Sequence, residues 1–135
     1  MRYDDWQARF WLWMQHQRTQ RFVWGERDCI LFAASGGDAV SDSRYVERAK
    51  AAFGWTNARE AAALLADTSL QALIERVLGP MQKASSLGMA DFVLVFDDEG
   101  RESLAIHDGS IIIGPDEYGV KRIPFRCVKG GWRVT

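Results

Sequence analysis

The hydrophobic patterning of this chain changes once, and that change most restricts what it can fold into. Up to Gly79-Pro80 the apolar residues recur at helical spacing. From Asp91 onward they come in short runs rich in Val, Ile and Phe, separated by turn residues. Trp6, Phe10, Trp13 and Met14 fall at i, i+4, i+7 and i+8, which predicts a first helix from about Asp5 to Gln20, with Asp4 or Asp5 as cap. Trp24-Gly25-Glu26-Arg27 reads as a turn. Asp28 then caps a second helix through Cys29, Phe32 and Ala33, which Gly36-Gly37 ends or interrupts. A short helix is expected over 46–53. Asn57 with Glu60, and Thr68 with Gln71, are capping-box patterns that open two more helices. Gly79-Pro80 stops the last of these.

The second half reads as strands. DFVLVF at 91–96, 103–107, Ile111 to Ile113, Val120 to Phe125 and Trp132 to Thr135 are the candidates. Asp97-Asp98-Glu99-Gly100 reads as a turn, and Asp108-Gly109 as a two-residue hairpin loop. Helices followed by an antiparallel meander make an α+β fold. No repeat or linker interrupts it, so 1–135 is expected to be a single domain.

Composition narrows the function. Lys and Arg total 17 against 18 Asp and Glu, a balance unlike the cationic surplus of a duplex nucleic-acid binder. No nucleic-acid partner is expected. The apolar run Cys29 to Ala34 is far too short to span a bilayer, so no membrane insertion is expected. MRYDDWQARF lacks the regions of a signal peptide, which predicts a protein made in the cytoplasm. Two Cys and two His show no metal-ligand spacing, and Gly36-Gly37 lacks the spacing of a phosphate loop. Neither a metal nor a cofactor is expected. Asp97, Asp98 and Glu99 suit a solvated turn better than a metal site. Arg18, Arg21 and Arg27, around and beyond the end of the first helix, suit its negative terminus.

Cys29 is the most informative residue for chemistry. It opens a helix behind a capping Asp, where backbone N–H groups and the macrodipole favour a thiolate, while the adjacent Asp28 carboxylate opposes one. Cys-Ile-Leu-Phe-Ala-Ala reads equally as a buried helix face. A nucleophilic Cys needs a base within hydrogen-bond reach. His16 lies on the flank of the first helix. His107 ends a strand at the hairpin tip.

Taken together, several segments resemble one family. Phe22-Val23-Trp24-Gly25-Glu26-Arg27-Asp28-Cys29 resembles the "WG…DC" opening of NlpC-type papain-like cysteine peptidases, in particular the small proteins encoded among bacteriophage tail genes. Ala90-Asp91-Phe92-Val93-Leu94 resembles the family's "GDlv" strand, with Ala90 in place of Gly. Ser103-Leu104-Ala105-Ile106 resembles its "HVGI" strand. Gly119-Val120 and Gly131-Trp132-Arg133-Val134 resemble the C-terminal end of the tail-encoded group.

The resemblance implies a papain-like fold, with N-terminal helices packed on a small antiparallel sheet. It puts Cys29 at the nucleophile, Ser103 at the position of the His base, and Ile113 or Gly114 at that of the group orienting it. His107 is a substitute base about 13 Å further along the strand. Triad enzymes without their base lose about 10⁴ to 10⁶ in rate. The resemblance therefore implies a degenerate peptidase serving as a tail-tip or baseplate component in the virion tail, with tail hub and distal tail proteins as partners. Such a role needs an exposed aromatic patch, for which Trp11, Trp55 and some of Trp6, Trp13, Trp24 and Trp132 are available. The alternatives are an active Cys-dependent endopeptidase or amidase acting on peptidoglycan peptide, or an acyl transferase on the same scaffold.

Overall fold

The computed structural model describes residues 1–135 and is α+β. Five helices come first: α1 (Trp6–Gln17), α2 (Cys29–Val40), α3 (Tyr45–Ala52), α4 (Ala58–Leu65) and α5 (Leu70–Leu78). Five strands follow: β1 (Phe92–Phe96), β2 (Glu102–His107), β3 (Ile112–Asp116), β4 (Gly119–Ile123) and β5 (Val128–Trp132). They form one antiparallel sheet in the order β4-β3-β2-β1-β5. No helix is long and apolar enough to cross a membrane.

Strand alternation gives the sheet two apolar faces. Phe92 and Leu94 of β1, with Leu104 and Ile106 of β2, join Phe32, Val40, Tyr45 and Ile74 of the helices in the main core. Val93, Val95, Ala105 and Ile112 turn the other way into a smaller cluster, against which Leu87, Ile123, Cys127 and Val128 pack. The connection from edge strand β4 to edge strand β5, through a 3-10 turn at Phe125–Cys127, brings Phe125 to the His107 ring, 6.0 Å between centroids.

Helix α2 is apolar nearly all round because it is central. Burying Phe32 alone contributes about 2–3 kcal/mol. Gly36-Gly37 neither ends nor interrupts this helix, which runs on to Val40. Both glycines exist for proximity instead. A Cβ on Gly36 would collide with Ile106, and one on Gly37 would stand 2.7 Å from both Phe92 and Tyr45.

Other boundaries differ from the sequence reading for local reasons; strand β4, expected to reach Phe125, ends at Ile123, because Pro124 has no N–H for a ladder and Phe125 turns into the 3-10 segment. Helix α1 stops at Gln17, whose carbonyl is taken by the Arg27 guanidinium, and Asp5 pairs with Arg9 at 2.7 Å instead of capping. Ser69, one residue after Thr68, caps α5 by accepting from Ala72 N–H, while Glu102 of β2 accepts from Leu70 N–H. The β2–β3 connection is longer than Asp108-Gly109. Asp108 closes it by accepting from the N–H groups of Ser110 and Ile111. The last strand ends at Trp132, not Thr135, and contains Gly130-Gly131, where any side chain would strike the Gln82 or Phe92 carbonyl.

Candidate functional site

The site is assembled around the start of α2. Asp28 is its N-cap and is fully buried. Its carboxylate accepts three hydrogen bonds: from Leu31 N–H at 3.0 Å, from Gly25 N–H at 3.0 Å and from the Trp55 indole N–H at 2.8 Å. Three donors replace the water that a buried carboxylate loses. Trp55, on the loop between α3 and α4, stacks near Phe53 and edge-on to Trp24. A cleft of about 250 Å³ opens beside this cap, lined by Gly25, Asp28, Lys50, Phe53 and Trp55 among others; Cys29 does not line it.

Arg27 is buried next door without any carboxylate partner. Its guanidinium donates to the Gln17 side chain at 3.0 Å, to the Gln17 carbonyl at 2.9 Å and to the Gly119 carbonyl at 2.8 Å. A longer contact reaches the Asp116 carbonyl at 3.4 Å. Desolvation lowers its pKa, and Asp116 partly opposes that. One side chain thus binds the end of α1 and the β3–β4 hairpin to the start of α2. The sequence reading placed Arg27 in a turn and missed this role. Its only signal was an Arg-Asp pair immediately before an apolar helix.

Cys29 occupies the first position of α2 and is half-buried. Burial, with the adjacent Asp28 charge, pushes its thiol pKa up to about 11, although the backbone groups of Leu104 and Ile30 pull the other way. Burial and the Asp28 charge thus outweigh the helix terminus at this thiol. Asp28 is fully engaged in capping and still repels a negative sulfur.

The β2–β3 ladder is cut short at Pro115. The β2–β3 ladder pairs Ile106 with Ile113, and extending it would set Leu104 opposite Pro115, which has no N–H to donate. The pairing stops there, and the start of α2 meets the sheet beside that break.

The remaining candidates do not converge on the sulfur. Ser103 and His107 share the face of β2 that carries Ala105, which belongs to the smaller cluster, whereas Leu104 and Ile106 face the helices. The residue of β2 that reaches Cys29 is Leu104, through its backbone. His107 accepts from Gly109 N–H at 2.9 Å and packs on Phe125. His16 is exposed on α1, beside an open cleft with Arg21, Glu26 and Ser35. Ile113 is in the main core, and Gly114 lies against Ile123. Asp97 is occupied by its own turn, accepting from the N–H groups of Glu99 and Arg101 and pairing with the Arg101 guanidinium at 3.0 Å.

The tryptophans divide. Trp55 and Trp132 are buried, Trp6, Trp13 and Trp24 are partly buried, and Trp11 is 61% exposed beside Leu12 at 62%. Ala90 takes a positive φ of 71°, a backbone conformation that favours glycine. No curated protein and no solved structure matches the chain. Residues 1–134 match the family described as a domain of unknown function, DUF6950, and the chain belongs to that family.

Proposed function

We propose that this protein is a non-hydrolytic structural module of a phage-like tail tip or baseplate, built on the papain-like, NlpC-type plan with the peptidase machinery lost. The observation that carries this reading is the state of Cys29. A thiol at about 11 is about one part in 10⁴ thiolate at neutral pH, His107 lies on the opposite face of the sheet, and His16 is exposed on α1 and exerts no influence on the thiol. A Cys nucleophile needs both a lowered pKa and a base beside it, and here it has neither. The exposed Trp11-Leu12 pair on α1 supports a role in docking, because a large apolar pair facing water is stabilised by a partner that covers it. The partners are tail hub and distal tail proteins. The protein is made in the host cytoplasm and resides in the virion tail.

The test is co-expression with tail hub and distal tail proteins, followed by purification on a tag carried by this chain. Stoichiometric co-elution that Trp11→Ser weakens supports the reading. A free monomer in the presence of all of them sinks it.

One feature favours the second reading, an active peptidoglycan endopeptidase or amidase: Cys29 does sit at the first position of a capped helix. Cleavage of purified muropeptides that is abolished by Cys29→Ala would establish that activity in place of the structural role.

A further inference from the structure

The C-terminal segment differs in charge from the rest of the chain. Residues 119–135 carry Lys121, Arg122, Arg126, Lys129 and Arg133 and no acid, although acids outnumber cations overall. Lys129 is paired with Glu102 at 3.3 Å. Lys121, Arg122 and Arg126 are exposed and make no ion pair or side-chain hydrogen bond within the chain. Two of them lie on β4, and the third is in the turn that follows it, next to Phe125, which is 55% exposed.

Strand β4 is also an open edge. It pairs with β3 alone, whereas the other edge strand, β5, is covered by Gln82, which exchanges hydrogen bonds with Gly131. Asp116 and Gly119 form the closing pair of a two-residue turn, so Gly119, Lys121 and Ile123 direct their backbone groups to β3. Val120 and Arg122 direct theirs outward. No loop supplies them a partner. Because side chains alternate, Lys121 and Arg122 stand on opposite faces of this edge.

We propose that the β4 edge is a docking site for an extended, acidic segment of a partner protein, which adds to the sheet as a sixth strand. The outward N–H and C=O groups of Val120 and Arg122 pair with the backbone of that segment. Lys121 and Arg122 meet carboxylates on its two faces, Arg126 meets one further along, and Phe125 supplies apolar contact at the end. A second copy of this chain is a poor occupant, because two β4 edges would bring like charges together. This inference goes beyond the tail-tip reading and does not depend on it. Trp11, the residue on which that reading's docking test turns, is on α1 and not on this edge.

The experiment uses the full chain and a fluorescent, blocked peptide built of Val-Glu-Glu repeats, with Val-Lys-Lys repeats and a single-stranded oligodeoxynucleotide as comparators. Anisotropy is expected to show binding of the acidic peptide alone. Amide exchange is expected to slow at Val120 and Arg122. Two variants divide the interaction. The double variant Lys121→Glu, Arg122→Glu removes the charge match. Val120→Pro removes one outward N–H while keeping every cation and the ladder to β3. Each is expected to weaken binding about tenfold or more, with the thermal transition unchanged. Failure of the acidic peptide to bind overturns the proposal. So does unchanged affinity in Val120→Pro, or equal binding of the oligonucleotide, since either makes the edge a general polyanion surface.

Discussion

Trp55 reaches across from the α3–α4 loop to donate its indole N–H to the buried Asp28 carboxylate, 2.8 Å away and 27 residues distant in sequence. This contact fastens the loop to the first turn of α2. Trp55→Phe keeps the aromatic packing and removes one of three donors. It is expected to cost about 1–3 kcal/mol, read as a lower midpoint in urea. Asp28→Ala is expected to cost more, because it strands the Trp55 and Gly25 N–H groups and removes the helix cap together.

The Cys29 thiol should be slow to alkylate. In a Cys127→Ser background, its rate with iodoacetamide is expected to rise about tenfold per pH unit and to level off only near pH 11. A plateau near pH 7 would contradict the buried, uncharged sulfur.

The same shift makes a stability statement. The folded thiol holds its proton to about pH 11, while the unfolded thiol releases its own near 9.0. Above that lower value the unfolded state binds fewer protons, so stability falls as pH rises from about 9 to about 11. Cys29→Ala is expected to flatten that alkaline slope in urea melts taken across the range.

Arg27→Lys keeps the charge and loses the fork. A lysine cannot reach the Gln17 side chain, the Gln17 carbonyl and the Gly119 carbonyl at once. Destabilisation of about 2–4 kcal/mol is expected, with faster amide exchange at the end of α1 and in the β3–β4 hairpin.

Gly37→Ala adds one methyl where Phe92 and Tyr45 already touch. Overpacking of this kind costs about 1–3 kcal/mol, seen as a drop in the thermal midpoint. Gly79→Ala meets no neighbour but forces a residue at φ 87° into a left-handed backbone, so its cost is one of conformation alone.

Most of the element order follows from local patterning. The periodicity of Trp6, Phe10 and Trp13, the Asn57 cap, and the alternation from Phe92 to Phe96 each state their structure within a few residues, because helix and strand bury opposite periods of side chains. Asp28 announced its cap in the same way. Failures came where a residue answers to a distant partner. Gly36-Gly37 looks like a break to a local reading, and is instead where helix α2 meets the side chains of the sheet and of Tyr45.

The sequence by itself determined that helices precede an antiparallel sheet, that Asp28 caps a helix opening on Cys29, and that only two imidazoles exist in the chain. The tertiary structure alone decided what those groups can do. Alternation along β2 sends Ser103 and His107 to the face away from the helices, burial against the sheet keeps the Cys29 thiol protonated, and Arg27 joins three segments that lie far apart in the chain. The physical reason is that a side chain's chemistry is set by its neighbours in space, through burial, charge and hydrogen bonding, and those neighbours are fixed only when the sheet's faces and the helix's approach are chosen together.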